Sequence, residues 1–404
     1  MRKRRVFALF LSLALLLCTL PAAAAAGDDW LVPKVREAPA FTDMAGVWCA
    51  DAVDTVCQAG LMQGRSDGSF GPSGQLTGAH IATICARLHD LLTGGDGALP
   101  EPAEGQEWYD PAYASLSQAL DRLGAAGGTP TALHAQTLDL LEDVPPDGAV
   151  RRQTFAALLA ETLQAADVAL PAVNQISVVP DCKDPAVLSL YNAGILTGSD
   201  QYGSFRGSEY LNRGQAAAIL ARLADPAQRV AFSPVPFDLC ADVLGVDGDT
   251  VLLTVGGESV TAELFAYDLC DSLHRGGGTQ AALEDAIRNW CFYDAPFRVL
   301  AEEIGMGLTA EEQAQAAQAG RNRAGYLGVG AAYWQYKQTG VILNGNMRML
   351  YWQKDWKTGE ATYHQELEAV SQALLESAEP TAALTSLNLE AIKAKSENSP
   401  ICWS

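Results

Sequence analysis

Gly60-Leu61-Met62-Gln63-Gly64 is followed by Asp67-Gly68-Ser69-Phe70 and then by Leu76-Thr77-Gly78-Ala79-His80. The same order returns as Gly194-Ile195-Leu196-Thr197-Gly198, Tyr202-Gly203-Ser204-Phe205 and Leu211-Asn212-Arg213-Gly214-Gln215. The paired glycines lie 134 residues apart and the last motif 135. One further copy between them sets the period near 67 residues. A degenerate copy fits, opening at Trp108-Tyr109-Asp110 and closing at Val150-Arg151-Arg152-Gln153-Thr154. Each unit reads as helix, loop, helix. In the first, Trp48, Ala52, Val56 and Cys57 recur at helical spacing, and Gly60 stands where a left-handed C-terminal cap is wanted. Thr77 caps a second helix with the stripe Ile81, Ile84, Cys85, Leu88 and Leu91. Asn212 with Gln215 three residues on is a capping-box arrangement. Arg151 is a weak cap, but Phe155, Leu158, Leu159 and Leu163 keep the period.

Composition narrows the class around this repeat. The 404 residues are 49% hydrophobic and 19% charged, which is globular, and the length suits two or three domains. The net charge is −21. Four of the basic residues are Arg2, Lys3, Arg4 and Arg5, so the remainder is more acidic still. Such a body is a poor partner for nucleic acid and for anionic membrane surfaces. The basic start precedes an apolar run, Val6 to Leu20, and then Pro21 and the alanines Ala22 to Ala26. These are the parts of a secretory signal peptide over residues 1–26; the run is short for a bilayer span. The expectation is an exported protein with no membrane segment after cleavage. Eight cysteines follow the signal, which permits disulfides outside the cell. Cys57, Cys85 and Cys291 sit on apolar stripes and read as small core residues. No spacing suggests a metal site, and none of the familiar catalytic motifs occurs. The expectation is no enzyme, no cofactor and no metal.

Phe41-Thr42-Asp43, Trp48, the glycine-bounded loop, D-G-x-F and the start of the second helix together resemble the surface-layer homology (SLH) domain. The resemblance implies three repeats, about 41–95, 105–167 and 176–226, after a linker at 27–40. They would form a pseudo-threefold helical domain that holds an exported protein to the cell wall. The implied partner is a secondary cell-wall polysaccharide, often carrying a pyruvylated sugar. A ketal carboxylate calls for a fixed cation, and guanidinium offers a planar fork. The family's motif arginine falls on Arg152 and Arg213. Gly64 and Gly198 permit close approach of backbone to sugar, or serve as plain turn glycines. Trp48 and Trp108 stack on a sugar face or pack in the core. Gln215 completes the polysaccharide-binding set, while Asp43 reads as a turn or cap residue. The first repeat has Gly78 in place of the arginine and His80 in place of an acid, so its groove is expected to lack the carboxylate fork.

Pro226, Pro234 and Pro236 mark a linker over 227–248. Beyond it, Thr250 to Val255 reads as a strand, Gly256-Gly257 as a turn and Glu258 to Val260 as a short return. Helices follow: one capped by Thr261, one interrupted at Pro296 and ended at Gly305, one opened by the capping box Thr309 to Glu312, and a last one near Ala361 to Ser377. Ala383 to Leu389 reads as a strand. Residues 326–363 are rich in aromatics, taken mainly as core. The order over 249–404 is similar to the N-terminal chaperone region of the SurA and PrsA foldases. That resemblance implies a helical cradle for unfolded exported polypeptides. No parvulin-type block fits, so prolyl isomerase activity is not expected; an active foldase relative and a structural surface-layer component are the alternatives. The fold class expected overall is mainly α, with an SLH repeat domain and a helical chaperone-like domain carrying a small β element.

Overall fold

A computed structural model describes residues 30–125 and 145–401. The signal-peptide segment, Cys402 and the middle of the second repeat lie outside the described residues. The protein is mainly helical, with one small three-stranded sheet. Its buried apolar residues fall into a core between Val32 and Ala224 and a second set that begins at Phe237.

The first core is built by α1 (Ala50–Gln58), α2 (Gly78–Leu92), α3 (Asp110–Ala125), α4 (Arg152–Ala165), α5 (Pro185–Asn192) and α6 (Arg213–Ala224). The expected stripes face inward: Ile81, Ile84, Cys85, Leu88 and Leu91 of α2 are buried, as are Phe155, Leu158, Leu159 and Leu163 of α4. Burying one such side chain contributes roughly 1.5–3 kcal/mol. Gly60 ends α1 at φ +71°, the left-handed geometry that a side chain resists. Asn212 and Gln215 exchange the two bonds of a capping box at 2.8 and 3.1 Å. Helices pack across the repeat boundaries expected from the sequence, α1 on α6, α2 on α3 and α4 on α5.

The segments entering α2, α4 and α6 meet at one point. The Leu76 N–H donates to Leu211 O, the Leu211 N–H to Val150 O and the Val150 N–H to Leu76 O, each at 2.9 Å. This closed ring lies among fully buried side chains. Just beyond it, each helix start takes its partners from a different segment. Gly78 and Ala79 donate to Gly148 O and Pro146 O, Arg152 and Gln153 to Glu209 O and Gly207 O, and Arg213 and Gly214 to Gly74 O and Pro72 O. Backbone donors that a helix start leaves unpaired are thus satisfied by a neighbouring loop.

The second part opens with Leu239–Leu244, a helical turn whose Leu239, Cys240, Val243 and Leu244 are buried. Strands β1 (Val251–Val255) and β2 (Glu258–Thr261) form the expected hairpin through Gly256 and Gly257, both at positive φ. Then come α7 (Ala262–His274), α8 (Thr279–Asn289), α9 (Pro296–Glu303), α10 (Ala310–Arg323), α11 (Ala331–Lys354) and α12 (Gly359–Glu376). Pro296 starts α9, where its missing N–H costs nothing. The Thr309–Glu312 capping box opens α10.

One expectation fails here. Ala383 to Leu389 is not a strand: α13 (Ala382–Thr385) and α14 (Leu389–Glu397) occupy it, and β3 is only Glu379–Pro380 against β1. The Leu384 N–H bonds to the Thr381 hydroxyl and the Ala391 N–H to Asn388 Oδ1, so two side-chain caps start helices where a strand was expected. The expectation for the aromatics divides. Tyr333, Tyr351 and Tyr363 are core, whereas Trp352 and Trp356 are 52% and 70% exposed.

Candidate ligand-binding groove

Asp43 fixes the loop that floors the groove. Its carboxylate accepts the N–H groups of Phe70 and Gly71, each at 2.8 Å, and these two bonds hold its pKa below the ordinary value. Asp181 does the same for Phe205 and Arg206 at 2.7 and 2.6 Å, although burial there raises the carboxyl's pKa overall. Gly64 lets the loop close: a Cβ at this position would stand 2.2 Å from the Phe41 ring. Gly198 is at φ +78°, and its Cβ would meet the Gly203 backbone at 2.5 Å. Both glycines therefore have a structural reason to be glycine.

Arg213 enters this first loop from α6, about 150 residues away in sequence. Its Nε donates to Phe70 O at 3.0 Å and its Nη2 to Gln63 O at 2.7 Å. The guanidinium lies 4.6 Å from the Phe70 ring centroid. Two of its five donors are spent this way. Arg152 repeats the arrangement on the other loop, with Nε on Phe205 O at 2.9 Å and the guanidinium 5.7 Å from that ring. Among the described residues neither arginine is held in an ion pair.

Beside Arg213 a pocket of about 290 Å³ opens. Its walls are the loop from Leu61 to Arg65, Gln75, one face of α2 (His80, Thr83, Ile84, Arg87), Trp108 and Arg213. Three guanidinium groups and an imidazole line it, and no carboxylate does. In a chain of net charge −21 this is a local reversal of sign. Burial, then Arg65, disfavours the charge on Arg213; burial, then Arg36, does so on Arg87. Guanidinium still keeps its proton at neutral pH. Trp108 is 56% exposed, with its ring centroid 6.0 Å from that of His80. An exposed indole beside confined cations suits a ligand with an apolar face and a negative group.

The structure thus brings Gly64, Trp108 and Arg213 together. Arg152 and Gly198 belong to the second loop arrangement, over residues 194–206. Gln215 spends its carbonyl on the cap of α6. Trp48 is 71% exposed and does not line the pocket, so neither it nor Trp108 is a core residue. The first repeat's groove, expected to lack the carboxylate fork, receives a guanidinium from another segment. Helix starts serve the loop of a different segment, so Arg213 supplies the Gly64 loop, and the bare Gly78 faces Gly148 instead.

Arg65 and Arg87 escaped the sequence reading as lining residues, and His80 entered it only as the residue in place of an acid. Arg65 directly follows the loop glycine, but Ser199 stands there in the third copy, so comparing copies hid it. The seven described cysteines are all unpaired; Cys57, Cys85 and Cys291 are buried as expected. Burial pushes the Cys57 and Cys85 thiols up to about 11 and about 12.

Part of the chain that lines this groove also falls within a match to a known family. The family model of the S-layer homology domain matches residues 40–82, which include the Asp43 clamp, the Gly64 loop and the start of α2. The chain is 30% identical over 145 residues to the S-layer protein sap of Bacillus anthracis and, to the same degree, to an S-layer protein of Bacillus thuringiensis subsp. finitimus. Over 89 residues it is 35% identical to the outer membrane protein SlpA of Deinococcus radiodurans. These matches cover 35% and 22% of this chain but only 16% and 8% of the relatives' own lengths. No helix among the described residues is long and apolar enough to cross a membrane. The chain carries an S-layer homology domain, and with its S-layer relatives this marks a cell-surface or cell-wall associated protein.

Proposed function

We propose that residues 41–226 are three SLH units, at about 41–95, 105–167 and 176–226, that anchor the protein by binding an anionic cell-wall polysaccharide. The closed ring of Leu76, Val150 and Leu211, with its cyclic exchange of helix-start bonds, supports a pseudo-threefold arrangement. The observation that carries the binding reading is the carboxylate-free pocket of Arg65, Arg87, Arg213 and Trp108. Repulsion from the acidic body is screened beyond about 8 Å at physiological salt, so the local cations decide. A charge-assisted hydrogen bond to a sugar carboxylate contributes roughly 1.5–3 kcal/mol. Binding at further grooves adds avidity.

The part from 249 to 404 is a non-catalytic helical domain displayed outside the cell, with exported polypeptides as its clients. Val341, Met349, Trp352 and Trp356, all exposed along α11 and just past its end, support an interaction surface there. The anchoring reading is tested by co-sedimentation with purified cell walls before and after the polysaccharide is stripped. Pelleting is expected only with the intact walls. Equal pelleting with both rejects polysaccharide anchoring.

A further inference from the structure

Three charged groups meet inside the second part, each from a different element. Lys337 belongs to α11, Asp268 to α7, and Asp294 ends the helical turn Trp290–Asp294 between α8 and α9. Lys337 Nζ lies 2.6 Å from Asp294 Oδ1 and 3.2 Å from Asp268 Oδ1. The Asp294 and Asp268 side chains are only 7% and 16% exposed, so water is largely kept off both carboxyls. The surroundings are aromatic. The Tyr333 ring centroid is 5.3 Å from Nζ, and Tyr336 stacks on the buried Trp290 at 5.0 Å. One ammonium needs one carboxylate; a second buried carboxyl adds desolvation cost without adding neutrality. Asp268 Oδ2 is buried and, among the described residues, has no hydrogen-bond partner. Burial raises the pKa of both carboxyls, that of Asp268 to about 7, so Asp268 holds a proton in neutral to mildly acidic surroundings. For Lys337 burial works against the charge, but the two carboxylates together hold its pKa above the ordinary value. The ammonium is the resting form and the amine a minor one.

We propose that Lys337 and Asp294 become joined by an isopeptide bond, with Asp268 as the proton carrier. The ammonium first hands a proton to the Asp294 carboxylate, which removes both charges from an apolar site. The amine lone pair then attacks Asp294 Cγ, one bond beyond the 2.6 Å contact, and the C–N bond forms. Asp268 protonates the carboxyl oxygen that has gained charge and takes a proton from the nitrogen. It next protonates one hydroxyl, which leaves as water as the C–O bond breaks, and recovers its own proton from the other hydroxyl. An ammonium and a carboxylate thus become an amide and one water; nothing is oxidised or reduced, and no co-reactant is consumed. Fixed proximity takes the place of an activating group. Because the amine is the minor form the reaction is slow, but it has to occur only once per molecule. Until then the three groups act as an ion cluster. The bond ties α11, which carries the exposed Val341, Met349 and Trp352, to the segment before α9.

The test is peptide mass spectrometry of the full chain, denatured and digested with trypsin after several days folded at neutral pH. Wild type is expected to yield one branched peptide joining Lys337 to Asp294, lighter than its two parts by one water, with no cleavage after Lys337. Locating the loss matters, because a succinimide at an Asp-Gly pair such as Asp67-Gly68 also sheds water. Lys337→Arg keeps the cation, but a guanidinium does not give up its proton, so no branch should form. Asp268→Asn should slow the linkage by about a hundredfold or more. Wild-type peptides around 294 and 337 that stay unbranched overturn the proposal, and so does a branch at Asp294 that persists in Lys337→Arg. Asp268→Asn that links at the wild-type rate overturns the role of Asp268 as proton carrier. The wild-type digest decides the bond itself whatever the stability of the variants.

Discussion

Arg213→Ala removes a side chain that joins α6 to a loop about 150 residues earlier. Two hydrogen bonds from a charged donor are lost, to Phe70 O at 3.0 Å and to Gln63 O at 2.7 Å, together with the contact over the Phe70 ring. Each bond is worth roughly 1.5–3 kcal/mol and the ring contact roughly 0.5–2 kcal/mol. These contributions share partners and do not add fully. Water entering the open pocket can also solvate the freed carbonyls. The expected loss is therefore about 3 kcal/mol, a factor of about 100 in the opening equilibrium. Hydrogen exchange of the full chain reads it locally. Protection of residues 61–76 should fall by about two decades, and protection of β1 and α7 should be unchanged, because they belong to the other core. Arg213→Lys should recover only part, since an ammonium lacks the planar fork that spans both carbonyls. Exchange over 61–76 that shifts less than about threefold would refute the assignment of Arg213 as the tie between these segments.

Gly64→Ala should destabilise the first core by roughly 1–3 kcal/mol, because its Cβ meets the Phe41 ring at 2.2 Å; Phe41→Ala in the same chain should relieve much of the cost in denaturant titration. Asp43 has a depressed pKa in the folded protein, so the stability its clamp gives is present above the unfolded value and is lost as pH falls through the acid range. Asp43→Asn should flatten that acid limb in unfolding measurements followed by exchange of Phe70 and Gly71. In the second core, Lys337 bonds to Asp294 at 2.6 Å and to Asp268 at 3.2 Å, two carboxylates around one ammonium. Burial raises the Asp268 pKa to about 7, so the folded state holds a proton that the unfolded chain releases near pH 4. Stability of that core should fall as pH rises from about 4 to about 7, and Asp268→Asn should reduce the slope in thermal melts monitored at α7, leaving the part that Asp294 carries, since burial raises its pKa as well.

Local chemistry made much of this protein legible before folding. Caps and stops lie within a few residues of what they act on, so Gly60, Thr77, Asn212 with Gln215, Pro296, Gly305 and Thr309 with Glu312 marked helix ends at the right places. Apolar stripes of period 3.6 named the core faces of α2 and α4. The strand assigned to Ala383–Leu389 failed because a short run with some apolar residues is weak evidence against two side-chain caps, Thr381 and Asn388.

The glycine-bounded loops and the expected repeat with its arginines are read from the order of residues alone, because each depends on spacing along one segment. Which arginine serves which loop was a tertiary matter. The segments before α2, α4 and α6 close into a ring, so each helix start is handed to a different loop, and pairing within one repeat gives the wrong answer for Gly78 and Arg213. The charge of the groove was decided in the same way. Arg65, Arg87 and Arg213 are scattered over some 150 positions of an acidic sequence, and no one-dimensional sum registers them as neighbours. Folding brings their guanidinium groups to one small pocket beside Trp108, where low local screening lets three cations outweigh a distant surplus of carboxylates.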